Sequence, residues 1–155
     1  VKRFELAIYV AAIAVLSVAL FLEGRHTTEL ASRSSVSPKQ VMAMLSNPQL
    51  KVQVVDLRPV SGDEGFDESH IPGALPMPGC DEAQTPASAR ERIYPYVTTI
   101  LVSGEGDQAL FEKCAAKFGV ARNLAGGFTA WDDATLPEDS GSYSPPKNAA
   151  GGGCL

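Results

Sequence analysis

From Thr98 to Phe118 a β-branched run, a loop with glycines at 104 and 106, and an amphipathic pattern follow one another without a gap. Thr98–Val102 reads as a strand. From Gln108 onward, Leu110, Phe111, Cys114, Ala115 and Phe118 fall on one helical face, with Gly119 as its stop. A strand that passes into a helix through a tight glycine loop commits the chain to β-α units, and it aims several backbone N–H groups at one point. Such a point can hold an anion or activate a nucleophile. The residues that fill it are Ser103, Gly104, Glu105, Gly106, Asp107 and Gln108. A site shape is expected here, but the chemistry to use it is not.

The rest of the central region repeats the alternation. Ser37-Pro38-Lys39-Gln40 is a helix start, with serine at the cap, proline in the first turn and glutamine at the third position. That helix stops at Asn47-Pro48, and Lys51–Leu57 then reads as a strand that ends in Asp56-Leu57-Arg58-Pro59. An acidic loop or short helix covers Ser61–Ser69, and a polar connection runs from Asp81 to Arg92. A strand over Ala121–Leu124 leads to Gly126-Gly127 and a helical turn Phe128–Asp133 bearing Trp131. Strands alternating with helices at this spacing predict an α/β fold: a small parallel sheet flanked by helices, with ligand positions at the carboxyl ends of the strands. Asp56, Arg58 and the 103–108 loop all lie at such ends. No internal repeat is present.

Both termini differ from this region. Leu6–Leu22 carries no charged residue, and with Phe4 the apolar stretch is long enough to span about 26–30 Å, close to a hydrocarbon core. A cleaved signal peptide would need a small-residue cleavage site, which Glu23-Gly24-Arg25-His26 does not offer. A core helix would seldom be apolar for so long. The expectation is a retained single-pass anchor over residues 1–23, meeting lipid through residues 4–22, followed by a Ser/Thr-rich linker over 24–36. Lys2 and Arg3 ahead of the span favour a cytoplasmic N-terminus and a domain outside, periplasmic in a bacterium. Residues 138–155 are rich in Gly, Pro and Ser and read as a flexible or partner-bound tail.

Net charge is −5 and no Lys/Arg cluster occurs, which argues against nucleic acid as a partner. Cys80, Cys114 and Cys154 show neither CxxC nor metal-ligand spacing, so no metal or cofactor is expected. A Cys80–Cys114 disulfide is one option outside the cytoplasm. The favoured reading of Cys114 is a small apolar core residue on its helix.

Three stretches in order, Val-Val-Asp-Leu-Arg (54–58), Phe-Asp-Glu-Ser-His-Ile-Pro-Gly-Ala (66–74) and Leu-Ala-Gly-Gly-Phe-Thr-Ala-Trp (124–131) before Leu136-Pro137, make residues 37–137 resemble a rhodanese, or sulfurtransferase homology, domain. The resemblance implies that the loop after the central strand should begin with a cysteine whose thiolate carries sulfur, aided by basic side chains. Here that position is Ser103, Gly104 and Gln108 stand at the basic positions, and Gly106 keeps the loop glycine. It also implies structural roles for Asp56 and Arg58, as a local pair, and for His70, as part of a turn. A serine hydroxyl forms no persulfide and needs a general base to react, and Glu105 and Asp107 repel anions.

The expected function is therefore a non-catalytic rhodanese-like membrane protein that acts as an accessory subunit or docking module of a membrane complex, through anchor and tail. The alternative is a membrane-anchored sulfurtransferase or sulfur-carrier protein using a non-standard thiol. A small-ligand sensor is a third, weaker reading.

Overall fold

The computed structural model describes residues 8, 12–20 and 34–145. Two compact units, Val1–Ser34 and Ser35–Leu155, divide the chain. In the first, residues 8 and 12–20 are helical, and Ile13, Val15, Leu16, Val18 and Leu20 are exposed. Among the described residues no helix is long and apolar enough to cross a membrane, and most of the expected anchor, residues 1–23, lies outside them. The same holds for residues 24–33 of the expected linker and for residues 146–155 of the tail.

The second unit is built on five parallel strands: β1 (Ser35–Val36), β2 (Val52–Asp56), β3 (Leu75–Pro76), β4 (Thr98–Val102) and β5 (Ala121–Leu124), in the spatial order β1-β5-β4-β2-β3. β4 is central, with Val54 of β2 opposite Ile100 and Asn123 of β5 opposite Leu101. The helices are α1 (Pro38–Leu45), α2 (Ala87–Arg90), α3 (Gln108–Ala115) and α4 (Gly127–Asp133), and a 3₁₀ turn spans Pro78–Cys80.

Period-two alternation divides the core between the two faces of the sheet. Val54, Ile100, Val102 and Leu124 pack with Val41 of α1 and Phe128 and Trp131 of α4. Val55, Leu57 and Leu101 pack on the other side with Phe111, Cys114 and Phe118. Strands buried on both faces account for their near-continuous apolar runs.

The expected start of α1 is present as a reciprocal capping box between Ser37 and Gln40. Three boundaries and the reading of Cys114 differ from expectation. Ser35–Val36, assigned to the linker, is an edge strand paired with Asn123 and Leu124. α3 stops at Ala115 rather than Phe118; the N–H groups of Lys117 and Phe118 bond three residues back, and that of Gly119 donates to Pro95 O.

The ordered unit also does not end at Pro137. His70 and Asp139 exchange backbone hydrogen bonds at 2.8 and 2.9 Å, the Gly141 N–H reaches Asp67 O, and Tyr143 packs against the core. The first residues of the tail are thus held by the chain's own domain. Finally, Cys80 and Cys114 form a disulfide with Cα atoms 5.6 Å apart, so Cys114 is a cross-link as well as a core residue.

Candidate functional site

Ser103 follows β4 directly and is buried. Its hydroxyl accepts the Asp107 N–H at 2.7 Å, and the Asp107 carboxylate accepts the Leu110 N–H at 3.0 Å to cap α3. The loop carbonyls are also engaged. Ser103 O accepts from Phe128 N at 2.8 Å, and Gly104 O accepts from the N–H and the hydroxyl of Thr129, both at 3.0 Å. The first N–H groups of α4 therefore hold this loop. Gly106 O accepts from Asn123 Nδ2 at 3.1 Å, and Gln108 shares that amide at 3.3 Å while donating to Glu112.

Two glycines make the approach possible. Gly106 has φ 82°, and a Cβ there would sit 2.8 Å from Gly126 N. A Cβ on Gly127, with φ 61°, would collide with the carbonyls of Ser103 and Gly104 and with Gly106 N. The Gly126-Gly127 doublet was visible in the sequence. Its use as a seat for the 103–106 loop was not, and neither was the bracing by Asn123 and Thr129.

The loop forms one wall of a cavity of about 580 Å³. Glu105 and Asp107 lie on this wall, Asp63 and Glu64 lie on the segment opposite, and Leu57 and Leu110 supply apolar surface. Sequence reasoning had noted the acidity of 61–69 without placing it here.

The one basic residue lining this cavity, Arg58, is committed elsewhere. Its Nη2 lies 2.7 Å from Asp56 Oδ2 and 2.7 Å from Ser69 O, its Nε lies 3.0 Å from Asp56 Oδ1, and its guanidinium stacks 3.7 Å over the Phe128 ring. Asp56 is fully buried and also caps the Arg58 N–H. The pair ties β2 to the 64–69 segment, and the other charged residues lining the cavity are all carboxylates.

His70 is not brought to Ser103. It lines a different cavity, with its ring stacked on Phe66 at 3.8 Å and Nδ1 2.8 Å from Phe66 O. Of the expected residues, the structure thus gathers Ser103–Gln108 and Arg58 in one region and holds Asp56 and His70 as braces. No group of His, Cys, Asp and Glu among the described residues has a metal-binding arrangement.

A parallel sheet covered on both faces, with a glycine loop at the carboxyl end of its central strand, defines an α/β domain of the kind that places ligands at strand ends. Residues 37–134 match the family model of the rhodanese-like domain, and the chain belongs to that family.

Solved structures share the fold. A full-length protein from Lactobacillus plantarum superposes with TM-score 0.60 at 21% identity, covering 76% of this chain and 97% of its own. The rhodanese-like domain of an Anabaena protein gives 0.56 at 17% identity, covering 79% and 91%. A thiosulfate sulfurtransferase from Pseudomonas aeruginosa gives 0.53 at 23% identity, covering 70% of this chain and 19% of that one. No curated protein matches the chain.

Proposed function

We propose that this chain is a non-catalytic rhodanese-like module, held at a membrane by its N-terminal segment and serving as an accessory or docking subunit of a membrane complex. The observation that carries the non-catalytic reading is Ser103, which stands at the strand end with its hydroxyl engaged by the Asp107 N–H. An oxygen there cannot store sulfur, and a hydroxyl held by a backbone N–H, with His70 in a different cavity, is a poor nucleophile. The carboxylates of Asp63, Glu64, Glu105 and Asp107 line the same cavity and repel anionic donors such as thiosulfate.

A sulfurtransferase with a non-standard thiol would have to use one of three cysteines. Cys80 and Cys114 are joined to each other, which leaves Cys154, outside the described residues. The membrane part of the reading rests on the apolar stretch Leu6–Leu22 and on the exposed side chains of 12–20. The disulfide favours an oxidising side of the membrane for the domain, in line with Lys2 and Arg3 ahead of the span.

The test has two arms. Thiocyanate formation from thiosulfate and cyanide should not exceed background for the native chain. Purification from native membranes in mild detergent should bring other subunits with it. Turnover in the native chain, or a lone monomer after purification, overturns the corresponding half of the proposal.

A further inference from the structure

The smaller half of the core, on the α3 face, carries a cross-link in a position that does more than add stability. Cys80 ends the 3₁₀ turn that follows β3, and Cys114 lies in the last turn of α3. Both are buried, 4% and 0% exposed, within the cluster that contains Leu57, Met77, Phe111 and Phe118.

The turn itself is wired to the strand ends beside Ser103. Met77 N–H donates to Asp56 O at 2.7 Å, Gly79 N–H to Leu57 O at 2.9 Å, and Leu57 N–H to Val102 O at 2.7 Å. Lys113 Nζ reaches Gly79 O at 3.0 Å, adding one contact beside the disulfide.

The backbone at this point is unfavourable for its residue. Gly79 and Cys80 both have left-handed φ, 58° and 63°. Glycine takes that conformation freely, but a cysteine does so only where its surroundings hold it there. The turn has no side-chain cap. The Cys80 N–H donates to Met77 O at 3.0 Å, and the bond to Cys114 is what fixes its side chain.

We propose that the Cys80–Cys114 disulfide is a redox-dependent clamp that seats α3, and through it the 103–107 loop, against the sheet. α3 begins at this loop, with Asp107 as its cap and Leu110 lining the cavity beside Ser103. The shape of the strand-end cavity therefore depends on a bond remote from it in sequence. The larger cluster, built on α1 and α4, does not contain either cysteine, so its packing is expected to survive opening of the clamp.

Closing the clamp takes two thiols to one disulfide. Two electrons and two protons pass to a disulfide-bearing oxidant, which leaves as a dithiol. Opening reverses this: a dithiol thiolate attacks one sulfur, the mixed disulfide forms, and the second thiol of the reductant displaces it as the Cys80 and Cys114 thiols are released. Because both sulfurs are buried, attack has to wait for local opening. The clamp is set when the domain folds and is not toggled rapidly.

The experiment is native-state hydrogen exchange on the full chain in mild detergent, oxidised and after reduction by a small dithiol. Reduction is expected to speed exchange in α3 and the turn after it, read at the Phe111 and Lys117 amides, on the order of 100-fold, given the 34-residue separation of the cysteines. The Val41 and Ala130 amides, on α1 and α4, should change by no more than a few-fold. A Cys80→Ala/Cys114→Ala variant should reproduce the reduced pattern. Unchanged α3 protection after reduction, an equal loss of protection on both faces, or loss of the whole fold on reduction would each overturn the proposal. If the variant fails to fold, the reduced native chain gives the deciding measurement.

Discussion

The backbone N–H of Asp107 donates to the hydroxyl of Ser103 at 2.7 Å, closing the strand-end loop on itself. Ser103, which the proposed function sets where an active relative would carry its nucleophile, is thereby occupied in bracing the helix start. Restoring a sulfur there should restore only part of a site. Ser103→Cys is expected to form thiocyanate slowly, because Glu105 and Asp107 remain beside the new thiol and disfavour both its thiolate and an approaching thiosulfate. Adding Glu105→Gln and Asp107→Asn should raise the initial rate about tenfold or more, since each carboxylate removed relieves about 1 kcal/mol of repulsion. Asparagine keeps the cap on α3. A native chain as active as Ser103→Cys would contradict the assignment.

The buried ion pair invites a second measurement. Arg58→Ala leaves the Asp56 carboxylate fully buried with its main partner gone, and a loss of about 3–5 kcal/mol is expected in urea unfolding. Arg58→Lys should recover little of this. An ammonium cannot reproduce the paired contacts to Asp56 together with the reach to Ser69 O and the stacking on Phe128. If Arg58→Lys is as stable as the native chain, the bracing role is wrong.

The parts of this fold that were legible in the sequence are those decided locally. β2 and β4 announced themselves through largely β-branched runs, β5 only through its place between the Gly119 helix stop and Gly126-Gly127, and α1 through its cap and proline. β1 and β3 could not be seen, because two residues become a strand only by pairing with Asn123–Leu124 and with Val55–Asp56 far along the chain. Residues 138–145 misled by composition: Gly, Pro and Ser say nothing against main-chain bonds such as those between Asp139 and His70. The loop 103–108 was legible as a site because its geometry is set by adjacent strand and helix. The opposing wall with Asp63 and Glu64 required the tertiary fold.

Glycine substitutions separate seating from flexibility at this loop. Gly127→Ala places a Cβ against the Ser103 and Gly104 carbonyls at a positive φ, and a loss of roughly 2–4 kcal/mol is expected. Gly104→Ala, one residue beyond Ser103, meets nothing within 4 Å and has no positive φ, so its effect should stay within about 0.5 kcal/mol. Equal effects from the two substitutions, read from urea midpoints, would mean that the loop does not rest on Gly127 as described.

A final expectation concerns pH. Burial, followed by the neighbouring Asp132 carboxylate, holds Glu138 above its ordinary pKa of 4.5, against the opposing pull of a Ser69 hydrogen bond and Arg58. A raised folded pKa means that the native state binds more protons than the unfolded chain. Its contribution to stability is therefore fully present below about 4.5 and is lost as pH rises through the folded value. Glu82 works in the opposite sense. Its hydrogen bond and ion pair with Lys117 lower its pKa, so its contribution is present above 4.5 and lost as pH falls. Replacing Glu138 with glutamine removes the charge while keeping a hydrogen-bonding group for Ser69. Glu138→Gln should melt above the native chain at pH 7, and the difference should close as pH falls below 4.5, where the native glutamic acid is itself neutral. A difference in Tm that persists unchanged at pH 4 would assign the effect to packing and not to the charge of Glu138.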